Sequence, residues 1–419
     1  MSLQRRDFFK LSTAAAASAW LSASCRKAEA PSPPVPPKPM TGGIVPITDE
    51  ERLGRVEKAR ALMAENKLDA VLLESGTSLF YFTGVTWGLS ERTFAWVLPA
   101  KGDMAWVVPK FEEERARELI RFGADVRTWE EDESPYRVIA GVLSDRGVRA
   151  GTVGVEERLR FFIFDGLRQE ASAHRYVSAD SVTVGCRVIK SPAELALMQR
   201  ANDITVEAYK AVLPKLREGL TKGEFSEAAA AAFRALGVSG GIGANFGEGT
   251  ALPHGSVKPR TLREGDVVLM DGGCGVEGYR SDISRTVVFG QPTQRQLDVW
   301  NLDKEAQAAA FKAAGPGVPC EDVDAAARKV IVDAGFGPDY KVPGLPHRTG
   351  HGIGLDGHEW INLVRGNKTP MRLGMCFTNE PMIVIPGEFG VRLEDDMFIT
   401  QDGARFFSQP SPAIDRPFA

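Results

Sequence analysis

Val267-Val268-Leu269-Met270-Asp271-Gly272-Gly273-Cys274 runs into a turn at Glu277-Gly278-Tyr279 and returns as Arg280-Ser281-Asp282-Ile283-Ser284-Arg285-Thr286. Apolar, β-branched runs on either side of a glycine turn predict an antiparallel hairpin. Asp271 lies on one strand and Asp282 on the other. Cross-strand neighbours bring side chains to about 5 Å. Asp271 follows four apolar residues, which places it inside. Two carboxylates held together in a core repel each other and lose their water. A divalent cation between them removes both costs. The bland alternative is one Asp capping a turn and the other facing solvent.

Four further segments carry chemistry. Pro346-His347-Arg348-Thr349-Gly350-His351-Gly352-Ile353-Gly354-Leu355-Asp356-Gly357-His358-Glu359 holds three of the five histidines of the chain. Its glycines let the imidazoles project from a loop rather than a helix. The spacing is not HExxH, so a single-zinc helix site is not indicated, and no strand-to-helix context supports a nucleotide loop. Phe377-Thr378-Asn379-Glu380-Pro381 ends an expected strand on Glu380. In Val391-Arg392-Leu393-Glu394-Asp395, Glu394 alternates with apolar residues, and Arg392 can neutralise a neighbouring carboxylate. Ala251-Leu252-Pro253-His254-Gly255 adds a histidine in a loop.

Each of these residues alone reads as a surface charge or a structural histidine. Together Asp271, Asp282, His351, Glu380 and Glu394 offer four carboxylates and one imidazole. That hard, oxygen-rich set suits Mn(II), Co(II), Fe(II) or Zn(II). Four negative charges balance two divalent ions.

The order Asp, Asp, His, Glu, Glu, with a separate upstream His254, resembles the pita-bread metallopeptidases: Xaa-Pro aminopeptidase, Xaa-Pro dipeptidase (prolidase), creatinase and methionine aminopeptidase. The resemblance covers residue 49 to the end. It implies an α/β creatinase-like N-terminal domain followed by an α+β pita-bread catalytic domain. It further implies two divalent metal ions, manganese foremost, with cobalt, zinc or iron as alternatives. Asp271 holds one ion, Asp282 and Glu394 bridge both, and His351 and Glu380 complete the other. Glu380 also handles protons as base and acid. His254 and His358 flank the substrate, one steadying the oxyanion and the other aiding the leaving nitrogen. His347 is a further substrate contact, and Arg392 holds an acidic neighbour in place. The implied activity is hydrolysis of the Xaa-Pro bond in dipeptides or at the N-terminus of peptides. A homodimer or higher homo-oligomer is expected. Met382 after Glu380-Pro381 departs from the family, where glycine is frequent. Two other readings stand beside this one. The first is a hydrolase or lyase acting on a small amidine, ester or sulfonium compound at the same site. The second is a metal-free binding protein that kept the fold.

Outward from the site, the sequence divides into four parts. Residues 1–25 read as an export signal. Arg5-Arg6-Asp7-Phe8-Phe9-Lys10 resembles a twin-arginine motif, and the apolar run Leu11 to Leu21 is too short to span a bilayer. Cys25 is a candidate lipid anchor, which places the enzyme in the periplasm or cell envelope. Residues 26–48 are proline-rich and read as a semi-rigid spacer. Residues 49–186 alternate helical and strand patterns, beginning with the capping sequence Thr48-Asp49-Glu50-Glu51. No catalytic constellation appears there, although Trp87 and Arg92 lie in a loop that can limit substrate length. Residues 187–419 carry two long helical patterns, the glycine-rich hairpin, two more helices and a strand-rich end.

Composition sets outer limits. The chain has 419 residues, enough for two domains with their own cores. The net charge of -4, without a basic block, argues against nucleic acid. The five cysteines form no CxxC pair, so no zinc ribbon or redox motif is written here.

Overall fold

A computed structural model describes residues 38–418. The twin-arginine motif, Cys25 and the start of the spacer lie outside the described residues. From Met40 the spacer already lies on the folded body, with its amide donating to Leu236 O at 2.9 Å.

The N-terminal part is a six-stranded sheet with helices on both faces. Its strands are β1 (Ala70–Glu74), β2 (Ala95–Pro99), β3 (Ala105–Pro109), β4 (Asp125–Trp129), β5 (Thr152–Val155) and β6 (Arg175–Ser178), in the order β4-β3-β2-β1-β5-β6. The antiparallel pairs β1–β2 and β2–β3 are flanked by parallel pairs. β1, β2 and β3 are buried along their whole length, which is why they read as continuous apolar runs without alternation. One face packs Phe82, Trp96 and Trp106 beneath helix Asp49–Asn66. The other packs Ile139, Val142 and Leu167 from helices Pro135–Asp145 and Phe161–Glu170. Thr48 caps the first helix, its hydroxyl accepting from Glu51 N at 3.2 Å.

The C-terminal part repeats one plan: a helix pair, then a sheet. Helices Pro192–Val212 and Lys222–Ala235 precede β7 (Gly240–Phe246), β8 (Val267–Val276), β9 (Tyr279–Arg280) and β10 (Ile283–Val288). Helices Gln294–Ala313 and Cys320–Asp333 precede β11 (Gly350–Gly352), β12 (Glu359–Leu363), β13 (Cys376–Asn379), β14 (Met382–Ile385), β15 (Phe389–Arg392), β16 (Asp395–Thr400) and β17 (Gly403–Phe406). Three of the four helices start at a capping box: Ser191 with Glu194, Thr221 with Glu224, and Thr293 with Gln296. Each box satisfies amides that the first helical turn leaves free. The first sheet runs β10-β8-β7, and the second runs β12-β11-β13-β16-β17. A single bridge, Ser284 to Glu394, ties one sheet to the other. The acids gather at that seam.

Candidate metal centre

Five residues expected as ligands reach the seam from strands and strand ends of both sheets. Asp271 sits on β8, Asp282 in the break between β9 and β10, His351 in the middle of β11, Glu380 just past β13, and Glu394 between β15 and β16. Ligand atoms of Asp271, Asp282 and Glu394 all lie within 4.8 Å of one another, and so do those of His351, Glu380 and Glu394. Glu394 belongs to both groups. A third group joins Asp282 and His351 to His358 at the same spacing.

Three local expectations are corrected. Asp271 does not face Asp282 across the hairpin; its partner is Ser284, and Asp282 precedes β10. Glycine explains the difference. A Cβ on Gly273 would lie 1.9 Å from Ser281 O, so only glycine lets the Ser281-Asp282 backbone settle onto β8. Asp271 is also not inside, since its side chain is 42% exposed and forms the open rim of the cluster. Likewise His351 projects from a short strand rather than a loop. A Cβ on Gly350 would meet Thr378 O at 2.1 Å, which shows how closely β11 is pressed on β13.

Supporting side chains fix the acids. Ser284 Oγ lies 3.0 Å from Asp271 Oδ1 and 2.6 Å from Glu394 Oε2, and accepts from Arg392 Nε at 3.0 Å. Arg392 Nη2 donates to Asp271 Oδ2 at 2.5 Å. Arg285, fully buried, donates to Glu394 O at 2.8 Å and to Asp395 Oδ1 at 2.7 Å. Thr378 Oγ1 accepts from His351 N at 3.1 Å and donates to Glu380 Oε1 at 3.2 Å. Asp396 Oδ2 accepts from Asp282 N at 2.9 Å and from Asn202 Nδ2 at 3.0 Å. Arg392 thus reaches both Asp271 and Ser284. Ser284, Thr378, Asp396, Asn202 and Arg285 went unread. Strand alternation from Asp282 pointed to Ser284; nothing local pointed to Asn202.

Electrostatics follow from burial. Glu380 and Glu394 are buried, and Asp282 is half-buried beside them. Two like charges at 4 Å repel by about 4 kcal/mol at an effective dielectric near 20. Left to themselves, the acids keep protons. Burial, then Asp271 and Asp396, drives Asp282 far above the usual carboxylate range. Burial, then Asp282 and Glu380, does the same to Glu394. Burial pushes Glu380 up to about 7 although Arg392 pulls it down. His351 moves the other way, to about 3, because burial and then His358 penalise its cation. It is neutral at physiological pH, as a ligand imidazole must be. Its Nδ1 lies 3.0 Å from Gly352 O, which leaves Nε2 facing Glu380 Oε1 at 3.2 Å.

The remaining histidines differ in setting. The His358 ring stacks on His351, centroids 3.8 Å apart, and its Nδ1 accepts from Arg348 Nη2 at 2.7 Å. That bond leaves the proton of the neutral ring on Nε2. His254 stands exposed in a tight turn closed by Gly255 N to Leu252 O at 2.7 Å. His347 lies deeper. Its Nδ1 is 2.6 Å from Arg348 O, its Nε2 is buried without a protein partner, and burial lowers it to about 4. Trp87 and Arg92 do not face the cluster. Trp87 stacks on Phe94 at 4.3 Å inside the N-terminal part, and Arg92 is paired with Glu91 and Glu131.

The donor set fits a pair of divalent cations: hard oxygen donors, one neutral imidazole, and a shared carboxylate between two groups of three. Carboxylates crowded at the open seam of two sheets, with imidazoles on the rim, define a metal-dependent hydrolase.

Comparison with known proteins narrows that class. The Creatinase/Prolidase N-terminal domain family matches residues 55–189, and metallopeptidase family M24 matches residues 196–401. An uncharacterised peptidase of Schizosaccharomyces pombe is 39% identical over 382 residues, 85% of this chain and 81% of its own length. An Xaa-Pro dipeptidase of Pyrococcus horikoshii is 30% identical, over 84% of this chain and 95% of its own. The crystal structure of a dipeptidase from Mycobacterium ulcerans superposes with a TM-score of 0.80 at 31% identity, covering 87% of this chain and 97% of that one. The chain belongs to metallopeptidase family M24, with a creatinase-type N-terminal domain, and is a metallo-exopeptidase.

Proposed function

We propose that the chain hydrolyses the Xaa-Pro bond, as a dipeptidase, using two divalent cations held at the seam. The observation that carries the two-cation reading is the sharing of Glu394 between the Asp271–Asp282 group and the His351–Glu380 group. The substrate reading is supported by relatives named Xaa-Pro dipeptidase that match nearly their full length, among them those of Pyrococcus furiosus and Lactobacillus helveticus.

In this reading Asp271, Asp282, His351, Glu380 and Glu394 hold the ions. When bound, the ions supply Lewis acidity and lower the pKa of water. The chain's own groups do the rest. Glu380, with a proton affinity pushed toward neutrality by burial, takes and returns protons at Oε1 and Oε2. His358, its Nδ1 occupied by Arg348, offers Nε2–H as a donor to the scissile carbonyl or the leaving nitrogen. His254, on the exposed turn, faces the incoming peptide. Arg392 holds the Asp271 carboxylate in place.

A cavity of about 990 Å³ adjoins the histidine loops through Pro253 and Pro346. Leu252, Val342 and Val384 give it apolar walls, and Lys222 and Arg260 give it cationic ones. Such a lining suits a small apolar ring next to a carboxylate, the features of a C-terminal proline. Manganese as the resident ion, a homodimer, and export to the periplasm or cell envelope with a lipid at Cys25 belong to the same proposal. The oxygen-rich donor set supports manganese, the N-terminal sequence supports export, and the homodimer rests on the family resemblance alone. Among the described residues no helix is long and apolar enough to cross a membrane.

The test is a panel of Xaa-Pro dipeptides, Xaa-Pro-Xaa tripeptides and Xaa-Ala dipeptides with manganese-loaded protein, read by product mass. Cleavage confined to Xaa-Pro dipeptides is expected. Turnover of tripeptides alone, or of no peptide, overturns the dipeptidase reading.

A further inference from the structure

The residue next to His358 is tied to the other end of the molecule. Glu359 has a nearly buried side chain, 5% exposed, at the start of β12. Its Oε2 accepts from Lys190 Nζ at 2.9 Å, and its Oε1 from Arg187 Nη2 at 2.5 Å and from Leu355 N at 3.0 Å. Arg187 also holds Asp356 Oδ2 at 2.7 Å, and Thr77 of the N-terminal part donates to Asp356 Oδ1 at 2.7 Å. Arg187 ends the last helix of the N-terminal part, Asp180–Arg187, and Lys190 lies between it and the first helix of the C-terminal part, Pro192–Val212. The loop from Gly354 to His358 is therefore pinned to the junction of the two domains. Gly354 lets the clamp close: a Cβ there would lie 2.8 Å from both Glu359 Oε2 and Lys190 Cε. Burial alone raises the affinity of Glu359 for a proton, but Lys190 and Arg187 hold it down to about 2, so the clamp stays ionic at any physiological pH. None of these groups touches the acid cluster through any hydrogen bond among the described residues. Their common product is the placement of His358.

We propose that Glu359, gripped by Arg187 and Lys190, is a positioning residue for His358, which makes the domain junction part of the catalytic apparatus. An imidazole that must meet a reacting atom within a few tenths of an ångström needs a rigid support. The stacked His351 ring alone does not fix the loop. The proposal rests on the reading of His358 as a substrate-facing donor.

A double-mutant cycle tests it on the full chain loaded with manganese. Glu359→Gln keeps the shape and removes the charge. It should lower kcat about tenfold with KM little changed, leave bound metal and the circular dichroism spectrum as in the wild type, and give no further loss in a His358→Ala background. Equal losses in both backgrounds, or loss of metal in step with activity, overturn the proposal. Should Glu359→Gln not fold, Gly354→Ala presses on the same carboxylate from the loop side and should give the same kcat-specific loss; unchanged kcat there overturns it. Hydrogen exchange of the segment 355–360 is the second readout, and it requires no turnover. Faster exchange in the variant, with segment 267–286 unchanged, is expected, and unchanged protection overturns the clamp. A wild-type chain that cleaves no Xaa-Pro peptide defeats the substrate reading, and the exchange measurement still decides the clamp.

Discussion

Thr378 and Asp396 face each other across β13 and β16, and each fastens a different part of the cluster. Thr378 holds the His351 backbone and the Glu380 carboxylate, while Asp396 holds the Asp282 backbone. One rung of one sheet therefore sets the spacing between both groups of ligands. Thr378→Val keeps the β-branched shape and deletes both hydrogen bonds. Removing such outer partners weakens metal binding about 10- to 100-fold. Titration of the chelated variant with Mn²⁺ should show that loss with the melting temperature of the loaded protein still cooperative. Wild-type affinity would mean that the strand geometry alone places His351 and Glu380.

Glu394 sits where the two ligand groups overlap, and its removal acts oppositely on function and stability. Turnover in Glu394→Gln should fall by more than the roughly 100-fold that losing an outer partner costs. The chelated protein, by contrast, should become more stable, because one of several crowded acids is gone. Thermal melting after chelation, run beside an activity assay, checks both arms. A chelated variant that melts below the chelated wild type contradicts the picture of an acid cluster under electrostatic strain. Asp282→Ala should likewise abolish turnover in a folded protein.

The same crowding fixes a pH dependence. Burial pushes Glu380 up to about 7 and Asp396 up to about 8. Unfolded carboxylates titrate near 4. His351 and His347, lowered to about 3 and about 4, are protonated only in the unfolded chain below about pH 6.5 and offset those two acids there, so the folded, chelated protein binds more protons than the unfolded chain mainly between about pH 6.5 and pH 8, and stability falls as pH rises through that window. Melting temperature of the chelated enzyme should drop by on the order of 5 °C between about pH 5 and pH 9. With Mn²⁺ bound the drop should shrink, since cations replace the protons. A chelated protein that gains stability on the alkaline side would overturn this account.

How far the sequence could be read depended on the range of each interaction. The first helix was legible at its start because Thr48 acts on an amide three residues away. The five ligand types were legible from their chemistry and order. The strand register of Asp271 was not, because it depends on how close Ser281 can come to Gly273, a contact across two strands. Asn202 stands 194 positions from Asp396, and no local pattern announces such a pairing. The stacking of Trp87 on Phe94, seven positions along the chain, was not legible either, because no residue pattern between them marks it. Met382, the departure from the family pattern, is fully buried in β14 opposite Arg392, so it belongs to the wall behind the site.

Arg348 offers the last test, because its contact with His358 fixes which ring nitrogen carries the proton. Its guanidinium has no acceptor capacity, so the Nδ1 it touches must be the lone-pair nitrogen and Nε2 must bear the hydrogen. Arg348→Met keeps length and removes the donor. The ring can then adopt either tautomer, and a donor that is correct only part of the time slows the chemical step more than binding. The expected result is a fall in kcat of about tenfold or more, within the range ascribed to general acid–base groups, with KM within about twofold. Arg348→Lys, which restores a donor without the planar fork, should recover part of the loss. A change confined to KM would show instead that Arg348 meets the peptide directly, and a wild-type kcat in the Met variant would remove it from the proton path altogether.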